Sequence, residues 1–414
     1  MNGDSERINV LVVTHHFPPE VNGTATRIYE IIRGLQKMYP NVRFFVVTPP
    51  PNRPFGKFPV TFKFLHKISF RDNRITVFRI WSYQPKSSNP DFLKRAFNYL
   101  LFPILSLPII IGLSFVSKMA IIITPPSPIH FTTLFLKMLG KKIVVDVTDL
   151  WHEEAEHLGY SKHSLFLILS RGLELLSLKI SNLVTVASYT LAKFVKNMIN
   201  SKKSIIVLPT PLDRPIMGRY NRDNKLFKDE LIIYAGNFGK PQALHLAVKA
   251  FAILNSEGLG NRIKLLLIGG GEEEEHLRYI IQQLNINNVV ILHPVSRDEL
   301  FNKFLNKATV GLVPLSFNKA LIYALPTKVL EYLACSLPYL SYGSSLELKR
   351  FALMFKAGLH VDVEDEREIA EAIKYIIKHK ESFSINTQKA FNVLMSSSYD
   401  SLREIIKLIE KETK

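Results

Sequence analysis

Residues 326–342 read Pro-Thr-Lys-Val-Leu-Glu-Tyr-Leu-Ala-Cys-Ser-Leu-Pro-Tyr-Leu-Ser-Tyr and set a cation and a carboxylate three positions apart at the start of a helix. A proline in a first helical turn costs nothing, because the N–H it lacks has no intrahelical partner there. The free N–H groups of that turn, with Lys328 beside them, suit a phosphate. Glu331 suits a ribose diol, since each carboxylate oxygen can accept one hydroxyl hydrogen bond. Ribose and phosphate side by side describe a nucleotide. The plainer reading is a capped amphipathic helix with Glu331 as a surface charge.

Other loops that follow apolar runs carry chemistry-bearing residues. The first run ends in Thr14-His15-His16-Phe17-Pro18-Pro19-Glu20-Val21-Asn22-Gly23, ahead of a helix expected from about Thr26. Gly23 lets backbone N–H groups approach a phosphate closely, or simply makes a turn. Asp146-Val147-Thr148-Asp149-Leu150-Trp151-His152 closes another run, and the C-terminal end of a parallel strand opens into the crevice where ligands bind. Asp149 stands there either as a crevice group or as the N-cap of the next helix. Tyr234-Ala235-Gly236-Asn237-Phe238-Gly239-Lys240 and Ile268-Gly269-Gly270-Gly271-Glu272 are both strand-then-glycine segments. Glutamates 272–275 read as a solvated helix start. The histidines are scattered and no D-x-D pair ends a strand, so no metal is expected.

The elements that must hold these loops alternate short Val/Ile-rich runs with longer amphipathic stretches, the α/β signature. In the first half, residues 9–14, 42–48, 75–79, 120–124, 143–147, 183–187 and 205–208 read as strands buried on both faces. A second series of strands is expected at 231–234, 263–268, 289–292, 310–313, 339–341 and 359–361, with helices at 242–255, 274–284, 297–306, 327–335, 345–356 and 366–380. Residues 398–413 form a terminal amphipathic helix with Leu402, Ile405, Ile406 and Ile409 on one face. The implied division is a first domain over 1–212, a proline-containing linker over 213–230, a second domain over 231–390 and a terminal segment over 391–414.

Four hundred and fourteen residues exceed one ordinary core, and 47% hydrophobic content is ample for two. The single cysteine, Cys335, allows no intramolecular disulfide and fits a reducing compartment. The polar opening Met-Asn-Gly-Asp-Ser-Glu-Arg does not read as a secretory signal. Net charge is +17 and uneven: residues 1–220 hold 28 Lys+Arg against 13 Asp+Glu, and residues 53–95 hold ten basic residues against two acidic. A basic half suits nucleic acid or an anionic membrane. No helix-turn-helix, zinc-finger or RNP pattern supports nucleic acid. Residues 99–117 support a membrane, with 19 positions free of charge. Pro103, Pro108 and Gly112 interrupt that run, so a hairpin or a helix lying in the interface is expected rather than a span, within a membrane-facing segment over 53–118. The other reading is a helix buried under the sheet.

Residues 326–338 resemble the donor-binding segment of family-4 retaining glycosyltransferases, in the variety reading P-S-K-x-x-E-Y-L-A-x-G-x-P. Thr327 stands for the usual serine and Ser336 for the usual glycine. Relatives often carry a second glutamate eight residues earlier, where Tyr323 stands here. Residues 18–23 resemble the family's P-P-x-x-G-G loop, with Asn22-Gly23 for Gly-Gly. Residues 234–239 resemble its Y-x-G-x-x-G segment, with Asn237 and Ala243 where arginine and lysine are usual. Asp149 lies where relatives read R-D-L-W-P or carry a histidine, with Thr148 and His152 departing from that pattern.

The resemblance implies the GT-B fold: two facing Rossmann-like domains with a C-terminal helix crossing back to the first. It implies a hexosyl- or N-acetylhexosaminyl-type transferase that uses a nucleotide-sugar donor and neither metal nor other cofactor. Glu331, Lys328, Thr327, Lys240, Gly236, Asn237, Gly239, Gly269, Gly271 and Val295 would hold the donor. Asn22 and Gly23 would form a phosphate or acceptor loop, and Asp149 and His15 would be the catalytic groups beside the acceptor. The basic, apolar first half adds a lipid-linked acceptor and an anionic membrane surface as partners, at the cytoplasmic face of the cell membrane. The alternatives are a sugar-nucleotide 2-epimerase of the same fold and a non-catalytic membrane partner subunit, the latter favoured by the missing charges at Tyr323, Asn237 and Ala243.

Overall fold

A computed structural model describes residues 7–20, 22–52, 58–59, 63–70, 74–84, 92–150, 165–200, 203–212 and 229–410. Most of the expected linker, the Trp151-His152 pair and much of the basic 53–95 stretch lie outside the described residues. The chain divides into two α/β units, residues 1–211 with 396–414, and residues 212–395. Both are Rossmann-like, the fold class read from the sequence.

The first unit is built on a sheet of β1 (Ile8–Val13), β2 (Val42–Thr48), β3 (Leu65–Phe70), β4 (Ile75–Ile80), β5 (Met119–Thr124), β6 (Lys142–Val147), β7 (Leu183–Val186) and β8 (Ile205–Val207), ordered β3-β4-β2-β1-β5-β6-β7-β8. All pairs are parallel except β3 with β4. Its helices are α1 (Gly23–Met38), α2 (Phe92–Phe115), α3 (His130–Met138), α4 (Leu165–Ile180) and α5 (Tyr189–Ile199). Strands buried on both faces explain the unbroken Val/Ile runs: every residue of β5 is buried. β3 was not anticipated. It is an antiparallel edge strand whose described side chains are mostly exposed, so it carries no two-sided apolar signal.

The second unit has β9 (Glu230–Asn237), β10 (Ile263–Gly270), β11 (Val289–Leu292), β12 (Val310–Pro314), β13 (Tyr339–Tyr342) and β14 (Gly358–Val361), ordered β11-β10-β9-β12-β13-β14 and all parallel. Its helices are α6 (Leu244–Ser256), α7 (Glu274–Gln283), α8 (Thr327–Ala334), α9 (Leu346–Phe355), α10 (Glu366–Lys378) and the first part of α11 (Lys380–Glu410). Strand order reverses between β1 and β5 in the first sheet and between β9 and β12 in the second, the positions where such sheets open a crevice.

Four expectations need correction. The charge-free run is no hairpin, because α2 continues through Pro103 and Pro108 as one helix. Phe102, Ser106, Ile110 and Ser114 bury one of its faces against the sheet, and that packing outweighs the hydrogen bonds the prolines forgo. The segment 297–306 is not regular α-helix: one α turn passes into a π turn at Leu300–Phe304 and then a 3-10 turn. The terminal helix starts at Lys380 rather than Ser398: its added turns bury Ser384 and Thr387 ahead of Ala390, Phe391, Leu394 and Met395, so the inward face opens on polar residues. The helix expected from Thr26 starts at Gly23, with the Asn22 side chain accepting the Ala25 N–H at 2.8 Å.

One buried and one half-buried histidine tie stability to pH. Burial pushes His130 down to about 4 against the pull of Glu174, and its Nδ1 lies 2.8 Å from Ser177 Oγ. Burial does the same to His360, also to about 4, against the pull of Asp362. An unfolded histidine titrates near ~6.5, so between roughly 6.5 and 4 the unfolded chain binds protons that the folded chain refuses. Stability therefore falls as pH drops through that window. Urea unfolding should lose about 2 kcal/mol per histidine between roughly pH 7 and pH 5, and His360→Gln should remove that histidine's share. A stability unchanged over this range would contradict the assignment.

Candidate functional site

The ends of β9, β10 and β12 converge with the start of α8. Gly236 and Gly269 are register partners on β9 and β10, and both have positive φ, as does Gly271. A Cβ on Gly269 would sit 1.9 Å from the Gly236 carbonyl oxygen, and one on Gly271 would sit 2.5 Å from that of Phe238. Only glycine fits such an approach. Tyr234 Oη donates to the Asn237 carbonyl at 2.6 Å, bending the chain beyond β9 into an exposed Asn237 and a buried Gly239. A Cβ on Gly239 would meet Asn237 Nδ2 at 2.6 Å.

Lys328 reaches into this bend. Its ammonium lies 5.0 Å from the centre of the Tyr234 ring, and a Cβ on Gly236 would fall 2.7 Å from both Lys328 Cε and Nζ. Burial lowers the Lys328 pKa, with Glu331 pulling it back up. Among the described residues no hydrogen-bond acceptor meets that ammonium. It rests on a ring face alone.

Pro326 is the N-cap of α8 rather than a first-turn residue, and it brings no side-chain acceptor. The Thr327 and Lys328 N–H groups therefore have no side-chain cap, while the Val329 N–H bonds the Pro326 carbonyl at 3.1 Å. An uncapped helix start beside an unbonded ammonium has the chemistry to take an anion. Glu331 stands one turn further along α8, mostly shielded, with Arg297 Nη2 at 3.8 Å from its Oε1. Arg297 was missed by sequence reading, because only the fold brings it to α8.

The seat of α8 is fixed from below. A Cβ on Gly311 of β12 would lie 2.3 Å from the Tyr332 ring, so the ring packs flat on the strand. Tyr332 Oη then reaches the carbonyls of Leu312 and Ile233 at 3.2 and 3.4 Å. At the far end Ser336 takes φ +55°, and the Leu337 N–H closes back on the Tyr332 carbonyl at 2.9 Å. Ser336 thus occupies a left-handed position where glycine is unstrained.

Of the remaining expected donor residues, Lys240 is exposed beyond Gly239, with its N–H 3.4 Å from Glu272 Oε1. Val295 is half-buried among Leu292 and Leu300. Tyr323 is buried, as a glutamate there would also be. Among the described residues no group of three or more His, Cys, Asp or Glu could hold a metal ion.

The other expected residues belong to the first unit. His15 is 3% exposed at the end of β1, with Nε2 3.0 Å from Asn98 Oδ1 on α2. Its neighbour His16 is the more accessible of the two, and Nδ1 of His16 lies 2.9 Å from Glu20 Oε2. Burial raises the Glu20 pKa, but His16 and the Asn52 N–H at 2.8 Å outweigh it and hold the carboxyl below its ordinary value. Sequence reading missed this dyad, whose one signal is the four-residue spacing. Asp149 is half-buried beyond β6, with β5 between its strand and that of His15. Asn22 spends its side-chain oxygen on capping α1, and Gly23 is the first, exposed residue of that helix.

Residues 219–392 match the family model described as Glycosyl transferases group 1. A curated relative, the N-acetylgalactosamine-N,N'-diacetylbacillosaminyl-diphospho-undecaprenol 4-alpha-N-acetylgalactosaminyltransferase of Campylobacter jejuni, is 24% identical over 252 residues, 60% of this chain and 64% of that protein. The match thus spans less than two thirds of the relative. Among solved structures, sucrose-phosphate synthase from Thermosynechococcus elongatus aligns over 98% of this chain and 99% of its own, with TM-score 0.74 and 14% identity. The E. coli trehalose-6-phosphate structure bound with UDP-2-fluoro glucose aligns over 97% and 98%, with TM-score 0.67 and 13% identity. These likenesses establish the fold. The family match supports the glycosyltransferase activity expected from the sequence.

The Ser336 turn gives a direct check on how α8 is held. An L-residue in the left-handed region costs roughly 1–2 kcal/mol, which glycine avoids. Ser336→Gly should therefore unfold at higher denaturant than Ser336→Ala, by about 1 kcal/mol. Equal stabilities would show that the backbone there carries no strain.

Proposed function

We propose that this protein is a retaining glycosyltransferase that moves a hexosyl or N-acetylhexosaminyl group from a nucleotide sugar to a lipid-linked acceptor at the cytoplasmic face of a membrane. The observation that carries the reading is the Lys328 ammonium, laid across Gly236 in front of an uncapped helix start, with Glu331 one turn away. In this reading the donor diphosphate takes the N–H groups of Thr327 and its neighbours together with the Lys328 ammonium, and the ribose diol takes the Glu331 carboxylate. Gly236, Gly239, Gly269 and Gly271 add no side chain beside the phosphates and sugar, and the Asn237 amide stands among them as a polar contact. Lys328 rather than the outlying Lys240 supplies the charge that the family's missing arginine and lysine would bring.

Transfer breaks the bond between the anomeric carbon and the phosphate oxygen and forms one to the acceptor oxygen. The nucleoside diphosphate leaves and takes up the acceptor's proton. Lys328 stabilises the charge that grows on the departing phosphate. The acceptor would meet the first unit at the ends of β1 and β6. Asp149 and His15 there are the catalytic groups of this reading, beside the acceptor hydroxyl. The lipid-linked acceptor draws support from the Campylobacter relative, whose own name contains a diphospho-undecaprenol.

The test incubates the protein with membrane lipid extract and UDP-, GDP- and dTDP-sugars and reads glycolipid by mass spectrometry. Wild type should give a new glycolipid with one donor class. Glu331→Ala should lower kcat/KM at least about 100-fold, as loss of two hydrogen bonds to a charged group predicts, with an unchanged melting temperature. Lys328→Met should lower kcat more than it raises KM. Near-normal turnover by Glu331→Ala would sink the assignment.

A further inference from the structure

The crossovers from β4 to β5, β5 to β6 and β6 to β7 all run one way across the first sheet, while that from β1 to β2 runs the other way. Right-handed crossovers therefore set α2, α3 and α4 on one face and α1 on the opposite face. The α1 face is closed by Leu402, Ile405 and Ile409 of α11. The other face is different.

Residues Phe97, Leu100, Ile104 and Phe115 of α2 point away from the buried row and are exposed, Phe115 at 71%. Helix α4 lies on the far side of α3, which touches both, and its Leu167 and Phe166 reach Tyr99 of α2. It turns Leu165, Ile168, Leu169 and Leu176 outward, Leu165 at 71%. Between them α3 ends in Met138, which is 82% exposed. Single apolar side chains on a surface are ordinary, but two helices flanking a third on one face, both presenting apolar rows to water, are a binding face.

Charge selects the occupant. The three helices hold one carboxylate, Glu174, which is fully buried and accepts from Ser127 Oγ at 3.1 Å. Their exposed charged side chains are Lys94, Lys137, Arg171 and Lys179, all cations. A second copy of the chain meeting this face about a twofold axis would set cation rim against cation rim. An anionic bilayer meets the same rim with opposite charge and the apolar rows with acyl chain. Because α2 joins β4 to β5 within one sheet and buries its inner row there, it lies along the membrane surface and does not cross it.

We infer that α2, α3 and α4 form a docking face for an anionic lipid bilayer, with the α2 and α4 rows inserted at headgroup depth and the lysine and arginine rim on the phosphates. The inference rests on the membrane partner proposed above but not on the transfer chemistry, since vesicle binding needs neither donor nor acceptor. A protein that binds vesicles yet transfers nothing keeps the face and removes the proposed function.

Flotation of the full chain with phosphatidylcholine vesicles, with and without phosphatidylglycerol, tests it. Wild type should float with the anionic vesicles only and detach as salt rises. Each Lys or Arg near such a surface is worth about 1 kcal/mol, so reversing two of them in Lys137→Glu/Arg171→Glu should weaken binding at least about tenfold. Ile168→Glu/Leu169→Glu on α4 should do the same, while Leu353→Glu, an exposed apolar site in the other unit, should change nothing. Unchanged melting temperatures keep the comparison clean. Equal flotation with neutral vesicles, wild-type flotation of the α4 and rim variants, or a wild-type dimer that Ile168→Glu/Leu169→Glu makes monomeric without altering flotation would each overturn the proposal.

Discussion

Crowding at the ends of β9, β10 and β12 sets the terms for everything in the second unit. Backbone approaches backbone there too closely for a side chain at Gly269 and Gly271, while Gly236 and Gly311 leave room that side chains of α8 take. The space cleared at Gly311 is filled by the ring of Tyr332, and the space cleared at Gly236 by the end of Lys328. One short helix is thus held at two points four residues apart, by Lys328 and Tyr332. A helix start held in this way, with no side-chain cap, presents its free N–H groups in a fixed direction.

In the first unit a buried ion pair has the comparable role. Arg27 grips Asp146 with two hydrogen bonds of 2.8 and 2.7 Å, and its Nη1 reaches the Leu208 carbonyl at 2.7 Å. Thr185 donates to the same carboxylate at 2.6 Å. With these four hydrogen bonds, both charges are compensated despite near-complete burial. The pair ties α1 to β6, β7 and the segment after β8. The Asn22 cap and Asp149, each a few residues from one of the two partners, are therefore located relative to one another by a single salt bridge.

What could be read from the sequence followed from how far apart the contributing residues lie. Strands buried on both faces announced themselves, whereas β3 did not, since an exposed edge alternates weakly. Lys328 and Glu331 were legible because one helix turn holds both. The partners Arg27 and Asp146 lie 119 positions apart, and neither residue carries a local sign of the other. Arg297 and the His16–Glu20 pair were overlooked for related reasons, the first placed by tertiary packing and the second set in an irregular loop. Ser336 looked like a departure from a pattern; its positive φ shows that the backbone shape usual for glycine is kept while the residue is not. The prolines of α2 misled in the opposite direction, because local propensity lost to burial of one helix face.

Helix α11 has a consequence for the order in which the molecule is completed. Its first half completes one core with Ala390, Phe391 and Leu394, and its second half completes the other with Leu402, Ile405 and Ile409. Ser398 hydrogen-bonds the Pro209 carbonyl across 189 residues of chain. During synthesis the strands of the first unit emerge early, yet the face of α1 around Gly34, against which Leu402 packs, stays bare until the whole second unit has been made. The domain that begins folding first is the one finished last, and in that interval its open apolar face is the surface most exposed to aggregation.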